Sequence, residues 1–320
     1  MNIVFMGTPD FAVPSLAAIH NSRRHNLLCV ITQPDKPKGR GYKEAYSPIK
    51  KMALDFGLKV LQPSKARDNS FVDELSAVNA DIFVVAAYGQ ILPERILNIP
   101  PKGSINVHAS LLPKYRGASP IQHAILNGDK TAGVTIMQMR KGIDTGEMLL
   151  KKELPVLDSD TGGSLHDKLS ELGSIALIET LDQIEDGLAV PIKQDDELST
   201  YAPLLTKGMG EIDWNKSSKD IVNLIRGLNP WPVAYTYLNG EIIKIWSGIE
   251  TNEEYSSSSL LANSKPGDII KADKQGIVVK TGDSAVLIKE VQGANSRRMS
   301  SSDYILGHRI SPSDKMRQTD

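Results

Sequence analysis

The sequence predicts a doubly wound, Rossmann-like α/β domain with a mostly parallel sheet, followed by a small OB-like β-barrel. Three observations carry that expectation. Over the first two thirds of the 320 residues, short apolar runs alternate with longer helical stretches, the pattern of strands paired in parallel through helical crossovers. Beyond about residue 206 the helical stretches give way to short β-rich runs set apart by turn residues. Hydrophobic residues make up 40% of the chain, enough for two cores and too many for a disordered chain.

The elements follow in order. Residues 2–6 (NIVFM) read as a buried strand, Gly7-Thr8-Pro9-Asp10 as a turn, and residues 11–20 as a helix. Residues 27–32 form a second strand, and residues 47–56 a helix with Pro48 suited to its first turn. Residues 59–61 are a third strand. The β-branched run 81–87 and the segment 104–108 are the next two, 133–139 and 148–154 two more, and 161–186 a long helix. In the second part, residues 221–226 are helical and Asn229-Pro230-Trp231-Pro232 breaks the chain. Strands then fall at 233–238, 241–247, 268–270, 276–280 and 285–290, with Asn239-Gly240 and Lys265-Pro266-Gly267 as turns. The serine-rich stretch 255–259 reads as a loop. Domains are expected over 1–203 and 204–320.

Composition excludes several function classes. With 37 basic and 38 acidic side chains the net charge is −1, so bulk charge does not hold a polyanion. The single cysteine, Cys29, forms no internal disulfide and no cysteine zinc site, and its apolar surroundings Leu27-Leu28-Cys29-Val30-Ile31 mark it as a buried thiol. The six histidines show no HExxH or i,i+4 pairing, so no metal is expected. No apolar run reaches the ~18 residues that span a bilayer. Residue 1 leads directly into a strand-like segment without a basic flank, so a cytoplasmic protein is expected. The turn Gly7-Thr8-Pro9-Asp10-Phe11 lacks the spaced glycines of a dinucleotide loop, and no Walker motif occurs, which argues against NAD or ATP.

Two segments carry chemistry. In a strand, residues two apart share a face, so Asn106 and His108 project together where the strand 104–108 ends. Carboxyl ends of parallel strands are where α/β proteins place ligands, and an amide beside an imidazole makes an oxyanion-stabilising pair. The loop Gly142-Ile143-Asp144-Thr145-Gly146 offers a carboxylate at another strand end, able to orient and charge a histidine. Taken alone, each segment is also compatible with an ordinary turn.

The run Asn106-Val107-His108-Ala109-Ser110-Leu111-Leu112-Pro113-Lys114-Tyr115-Arg116-Gly117-Ala118-Ser119-Pro120-Ile121-Gln122 resembles the signature of the formyltetrahydrofolate-dependent formyltransferases. Asp144, in GIDTGEM, stands where that family has its catalytic aspartate. The resemblance continues through Gly7-Thr8-Pro9-Asp10-Phe11-Ala12, Ala87-Tyr88-Gly89, residues 134–139 and Asn229-Pro230-Trp231-Pro232, nearly end to end. Members acting on glycinamide ribonucleotide are similar over the first domain only. The full length is similar to members that formylate initiator methionyl-tRNA for translation initiation. The resemblance implies 10-formyltetrahydrofolate as co-substrate, no metal, and a catalytic trio of Asn106, His108 and Asp144. It implies a folate pocket at Ser110, Leu111, Leu112 and Pro113, with the pterin packing near Tyr88, Gly89, Ile91, Leu92 and the 139–144 loop. Residues 34–51 hold six basic side chains against two acidic ones. They resemble the family's inserted loop that enters the acceptor stem, with Arg40 as principal contact and Lys36, Lys38 and Lys43 beside it. In the second domain Lys289, Arg297 and Arg298 form a candidate basic edge, while Trp214, Trp231 and Trp246 are expected to pack in cores or between domains. A monomer is the family expectation. The rival readings are a formyltransferase for amino sugar nucleotides, disfavoured by the basic loop, and a non-catalytic folate- or tRNA-binding protein, disfavoured by the intact trio.

Overall fold

The computed structural model describes residues 1–38, 43–251, 263–308, 310–312 and 314–317. Arg40 and the serine-rich stretch 255–259 lie outside them. The chain divides into two compact units. The first comprises Met1–Pro120, Thr131–Pro155 and His166–Ala202; the second comprises Ile121–Lys130, Val156–Leu165 and Pro203–Asp320.

The first unit is built on seven strands, β1 (Asn2–Gly7), β2 (Asn26–Ile31), β3 (Val60–Leu61), β4 (Ile82–Ala86), β5 (Ser104–His108), β6 (Thr131–Gln138) and β7 (Met148–Pro155). Their order across the sheet is β7-β6-β5-β4-β1-β2-β3. The five strands from β3 to β5 run parallel. The last two are antiparallel, β6 to β5 and β7 to β6, where alternation alone implied parallel pairing. Residues 139–147 between β6 and β7 are too few for a crossover, so that pair folds as a hairpin. Strands β1 and β4 are buried throughout apart from Asn2, as expected of a sheet covered on both faces. One core gathers Val4, Met6, Cys29, Phe71, Phe83 and Tyr88. The helices Asn69–Ser76 and Glu94–Leu97 have no counterpart in the sequence reading.

The chain leaves β1 toward β2 and later returns to β4 on the other side of β1, so the carboxyl ends of β1 and β4 flank the switch point where such sheets bind ligands. Side chains from two loops meet at this crevice on one carbonyl. Thr8 Oγ1 donates to the Tyr88 carbonyl at 2.8 Å, and Gln33 Nε2 donates to the same oxygen at 3.1 Å. A Cβ on Gly7 would lie 2.9 Å from Ala12 Cβ and 3.0 Å from the Ala86 carbonyl. The glycine therefore serves packing between strand and helix, in keeping with a turn that lacks a dinucleotide fingerprint.

The second unit holds an antiparallel sheet of β8 (Ala234–Leu238), β9 (Glu241–Glu250), β10 (Ile269–Asp273), β11 (Gly276–Lys280) and β12 (Ala285–Gly293), with β13 (Met299–Ser300) and β14 (Met316–Arg317) at its margins. Along the sheet the order is β10-β11-β12-β9-β8-β14. The ends of this path meet: Asp268 bridges Lys315, and Met316 N donates to the Gly267 carbonyl at 2.8 Å. That contact curls the sheet into a small barrel and leaves fewer free edges. Ile243, Ile245, Ile277, Val279, Val286 and Ile288 fill its interior. Trp214 is buried there and donates from Nε1 to Thr236 Oγ1 at 3.0 Å. Trp231, expected to pack in a core or between domains, is 52% exposed and so is no core residue. It sits between two prolines, where no regular element carries it inward. Trp246 is half-buried, with the Arg298 guanidinium 4.9 Å over its ring. Arg298 is also paired with Glu290, so the basic edge expected at 289–298 is partly neutralised.

Candidate active site

Strand β5 places the first two site residues. Ile105 and Val107 are buried on one face, where Val107 Cγ1 would lie only 2.9 Å from a Cβ on Gly173. The pleat therefore turns Asn106 and His108 to the opposite face. Asn106 pairs with Met137 and His108 with Thr135 across the ladder to β6. Asn106 is half-buried, and among the described residues its side-chain amide has no hydrogen-bond partner.

His108 is 5% exposed. Its Nε2 lies 2.9 Å from the Tyr115 carbonyl, which only accepts, so that nitrogen carries a proton. Its Nδ1 faces Asp144 Oδ2 at 3.6 Å. This is close enough for ion pairing but longer than a hydrogen bond, so a proton on Nδ1 has no acceptor at bonding distance.

Asp144 reaches this position through an unusual backbone. Its φ is +52°, in the left-handed region that aspartate tolerates better than most residues. Oδ2 accepts from Gly117 N at 2.9 Å. Gly146 allows the loop to close, since a Cβ there would lie 1.8 Å from the Gln138 carbonyl. Tyr115 also has positive φ, +60°, which costs a non-glycine residue roughly 1–2 kcal/mol. That conformation turns its carbonyl to His108 while its N–H donates to Thr200 Oγ1 at 2.8 Å.

The expected folate residues occupy the loop after β5. Ser110 is buried and its hydroxyl donates to the Lys114 carbonyl at 2.6 Å, so it is used in building the loop. Thr135 Oγ1 donates to the Ser110 carbonyl at 2.7 Å and accepts from Leu112 N at 3.1 Å. Leu112 is fully buried with Met137 and Met148, and Lys151 Nζ donates to its carbonyl at 2.7 Å. Leu111 lies against Gly133, and Pro113 accepts from Thr200 N at 3.4 Å. Tyr88 turns its ring into the core, where burial pushes its hydroxyl up to about 12. Gly89 has φ +84°, and a Cβ on it would collide with the Gln33 amide. Leu92 is a core residue, while Ile91 is 91% exposed. Lys36 and Lys43 belong to a short antiparallel ladder, Lys36–Lys38 with Lys43–Ala45, that flanks Arg40 in sequence.

The sequence reading missed the segment that braces this site. Gln194 is buried and joins the Asp144 loop to Arg116. Thr200 binds the 113–116 stretch, and the Ala202 carbonyl accepts from Ala118 N at 2.9 Å. No periodicity marks residues 193–202, and a lone glutamine in a charged run gives no signal. Among the described residues, one further set of potential metal ligands stands together, His25 with Asp182 and Glu185, their ligand atoms within 4.8 Å. Arg24 already pairs with both carboxylates, at 3.2 and 3.3 Å.

Comparison with known proteins agrees with this architecture. Residues 1–181 match the family described as formyl transferase, and residues 204–309 match the formyl transferase C-terminal domain. A protein named methionyl-tRNA formyltransferase from Acetivibrio thermocellus is 49% identical over 318 residues, covering 99% of this chain and 100% of the relative. Its namesake from Caldanaerobacter subterraneus subsp. tengcongensis is 50% identical over 97% of this chain and 98% of its own. Among solved structures, the N-formyltransferase from Helicobacter canadensis in complex with folinic acid and dTDP-3-aminofucose superposes with a TM-score of 0.66. It is 20% identical and covers 93% of this chain and 99% of its own. HypX from Aquifex aeolicus in complex with tetrahydrofolic acid gives 0.62 at 16% identity, over 95% of this chain and 46% of its own. Both likenesses concern the fold. The chain belongs to the formyl transferase family and, within it, to the methionyl-tRNA formyltransferase group. It is accordingly an enzyme.

Proposed function

We propose that this enzyme transfers the formyl group of 10-formyltetrahydrofolate to the α-amino group of methionine on initiator tRNA, in the cytoplasm, for translation initiation. The observation that carries the reading is the convergence of three side chains at the end of β5. Asn106 has an uncommitted amide, His108 has Nδ1 without an acceptor at bonding distance, and Asp144 stands beside that nitrogen. The names of the relatives that match almost end to end supply the substrate class.

Formyl transfer between amines passes through a tetrahedral carbon bearing an oxyanion, so the site must supply donors to that oxygen and an outlet for the proton leaving the attacking amine. Asn106 supplies one donor from its amide and His108 the other from Nδ1. The Tyr115 carbonyl fixes the ring by holding Nε2, which leaves Nδ1 on the reacting side. Asp144 orients that ring and relays the amine's proton through water to folate N10, whose bond to the formyl carbon breaks as the tetrahedral carbon collapses. The folate pocket is assigned to the main chain and outer surface of the 110–113 loop and of residues 88–92, because Ser110, Leu112, Tyr88 and Leu92 direct their side chains inward. No metal is needed for these steps. The basic loop, with Arg40 and its companions Lys36, Lys38 and Lys43, takes the acceptor-stem phosphates, and the barrel beyond residue 204 serves as a tRNA-binding domain of a monomer.

The test is transfer of labelled formyl from 10-formyltetrahydrofolate to initiator Met-tRNA, with elongator Met-tRNA as control. Strong transfer to the initiator alone, abolished in His108→Ala, is the expected result. Absence of transfer to either tRNA, with transfer to an amino sugar nucleotide, would overturn the reading.

A further inference from the structure

We infer that Gln194 is a positioning residue that sets the Asp144 carboxylate against His108. The inference rests on the functional reading above, since it assigns Gln194 its effect through Asp144. The side chain is 5% exposed and its amide is fully used. Nε2 donates to the Asp144 and Gly146 carbonyls, each at 2.8 Å. Oε1 accepts from Arg116 Nε at 3.0 Å and Nη2 at 2.9 Å. An amide has two N–H donors and two acceptor lone pairs, and all four are engaged here.

The arrangement defines which side chain the position takes. Two carbonyls converge on one point only because Asp144 has φ +52° and Gly146 lacks a Cβ that would strike Gln138. A group between those carbonyls and the Arg116 fork must donate on one side and accept on the other. Glutamate would accept from Arg116 but set an acceptor against two acceptors, and lysine would set a cation against the guanidinium. Glutamine satisfies both sides. Arg116 also polarises the amide and so strengthens the two N–H donors.

Both ends of the Asp144 residue thereby answer to one side chain. Its backbone carbonyl is held by Gln194 directly. Its carboxylate accepts from Gly117 N, and Gly117 follows the arginine that Gln194 grips. A shift of Gln194 moves the carboxylate and its donor together. The 3.6 Å spacing to His108 Nδ1 follows from that clamp, and catalytic geometry is steep enough that a displacement of ~1 Å costs about 10²-fold in rate.

The experiment is a double-mutant cycle in formyl-transfer kinetics on Gln194→Ala, Asp144→Ala and the pair, with thermal unfolding recorded for each. We expect Gln194→Ala to lower kcat by about 10²-fold in the wild-type background, KM for folate and Met-tRNA staying within about threefold. In the Asp144→Ala background the same change should cost less than about threefold, because the group it positions is gone. Equal losses in both backgrounds, or a loss carried by KM, would overturn the assignment. If Gln194→Ala does not fold, Gln194→Glu keeps the acceptor for Arg116 and enters the same cycle. Asp196→Ala removes only the exposed partner of Arg116 and should stay within twofold of wild type. A normal kcat in Asp144→Ala would overturn the functional reading itself, whereas a slow Asp144→Ala beside a normal Gln194→Ala would overturn only the role of Gln194.

Discussion

Asp144 Oδ2 lies 3.6 Å from His108 Nδ1, while the other nitrogen of the same ring is held 2.9 Å from a main-chain carbonyl. The imidazole is thus fixed on its far side and left available on the side that carries the carboxylate. A ring held this way keeps its orientation with one nitrogen engaged and the other left facing the carboxylate. The consequences are open to experiment.

Asn106 separates activity from stability. Its amide bonds to nothing among the described residues, so Asn106→Ala removes no internal hydrogen bond. Loss of one oxyanion donor should lower kcat by about 10²–10³. The melting temperature should stay within about 2 °C of wild type, in line with the small effects of changes at sites without internal partners. Kinetics and thermal unfolding on one preparation check both, and an unaltered kcat would remove Asn106 from the chemistry.

Gly146 should be intolerant of even one methyl group. A Cβ there meets the Gln138 carbonyl at 1.8 Å, so Gly146→Ala forces the 142–146 loop outward and carries Asp144 with it. We expect a loss of at least about 10-fold in kcat, together with a destabilisation of about 1–3 kcal/mol typical of overpacking. Urea unfolding and initial rates measure the two effects. Wild-type kcat in this variant would show that the loop adapts.

Alkaline pH should weaken the fold through Cys29. Burial pushes its thiol up to about 11 from the unfolded value near 9. Between those values the unfolded chain releases a proton that the folded chain keeps, so stability falls as pH rises, by at most about 3 kcal/mol across the window. Below pH 9 the group contributes no pH dependence. Denaturant unfolding at pH 8 and pH 10.5 should show a larger drop for wild type than for Cys29→Ala. Equal drops would assign the alkaline loss to other groups.

Arg40→Ala should weaken tRNA use and spare the folate. We expect KM for initiator Met-tRNA to rise and the salt slope of its binding to fall by about one unit for each phosphate contact removed. Binding titrations between about 50 and 200 mM salt test this. An unchanged slope would place the phosphate contacts elsewhere.

Much of this enzyme was legible in the chain alone, for a local reason. The period of two in Ser104–His108 puts Asn106 and His108 on one face whatever surrounds the strand, and the alternation of strands with helices dictates crossovers. The run from Asn106 to Gln122, with Asp144, carries the family resemblance that the matches over residues 1–181 and 204–309 bear out. Tertiary structure alone decided what depends on where distant backbone groups point. It made β6 and β7 antiparallel, curled the second sheet until Asp268 met Lys315, and exposed Trp231. It also turned the Tyr115 carbonyl onto His108 and brought Gln194 beneath Asp144, fifty residues away in the chain. Side-chain periodicity is written in neighbouring residues, whereas the direction of a carbonyl in a left-handed turn is fixed only by the partners that packing delivers to it.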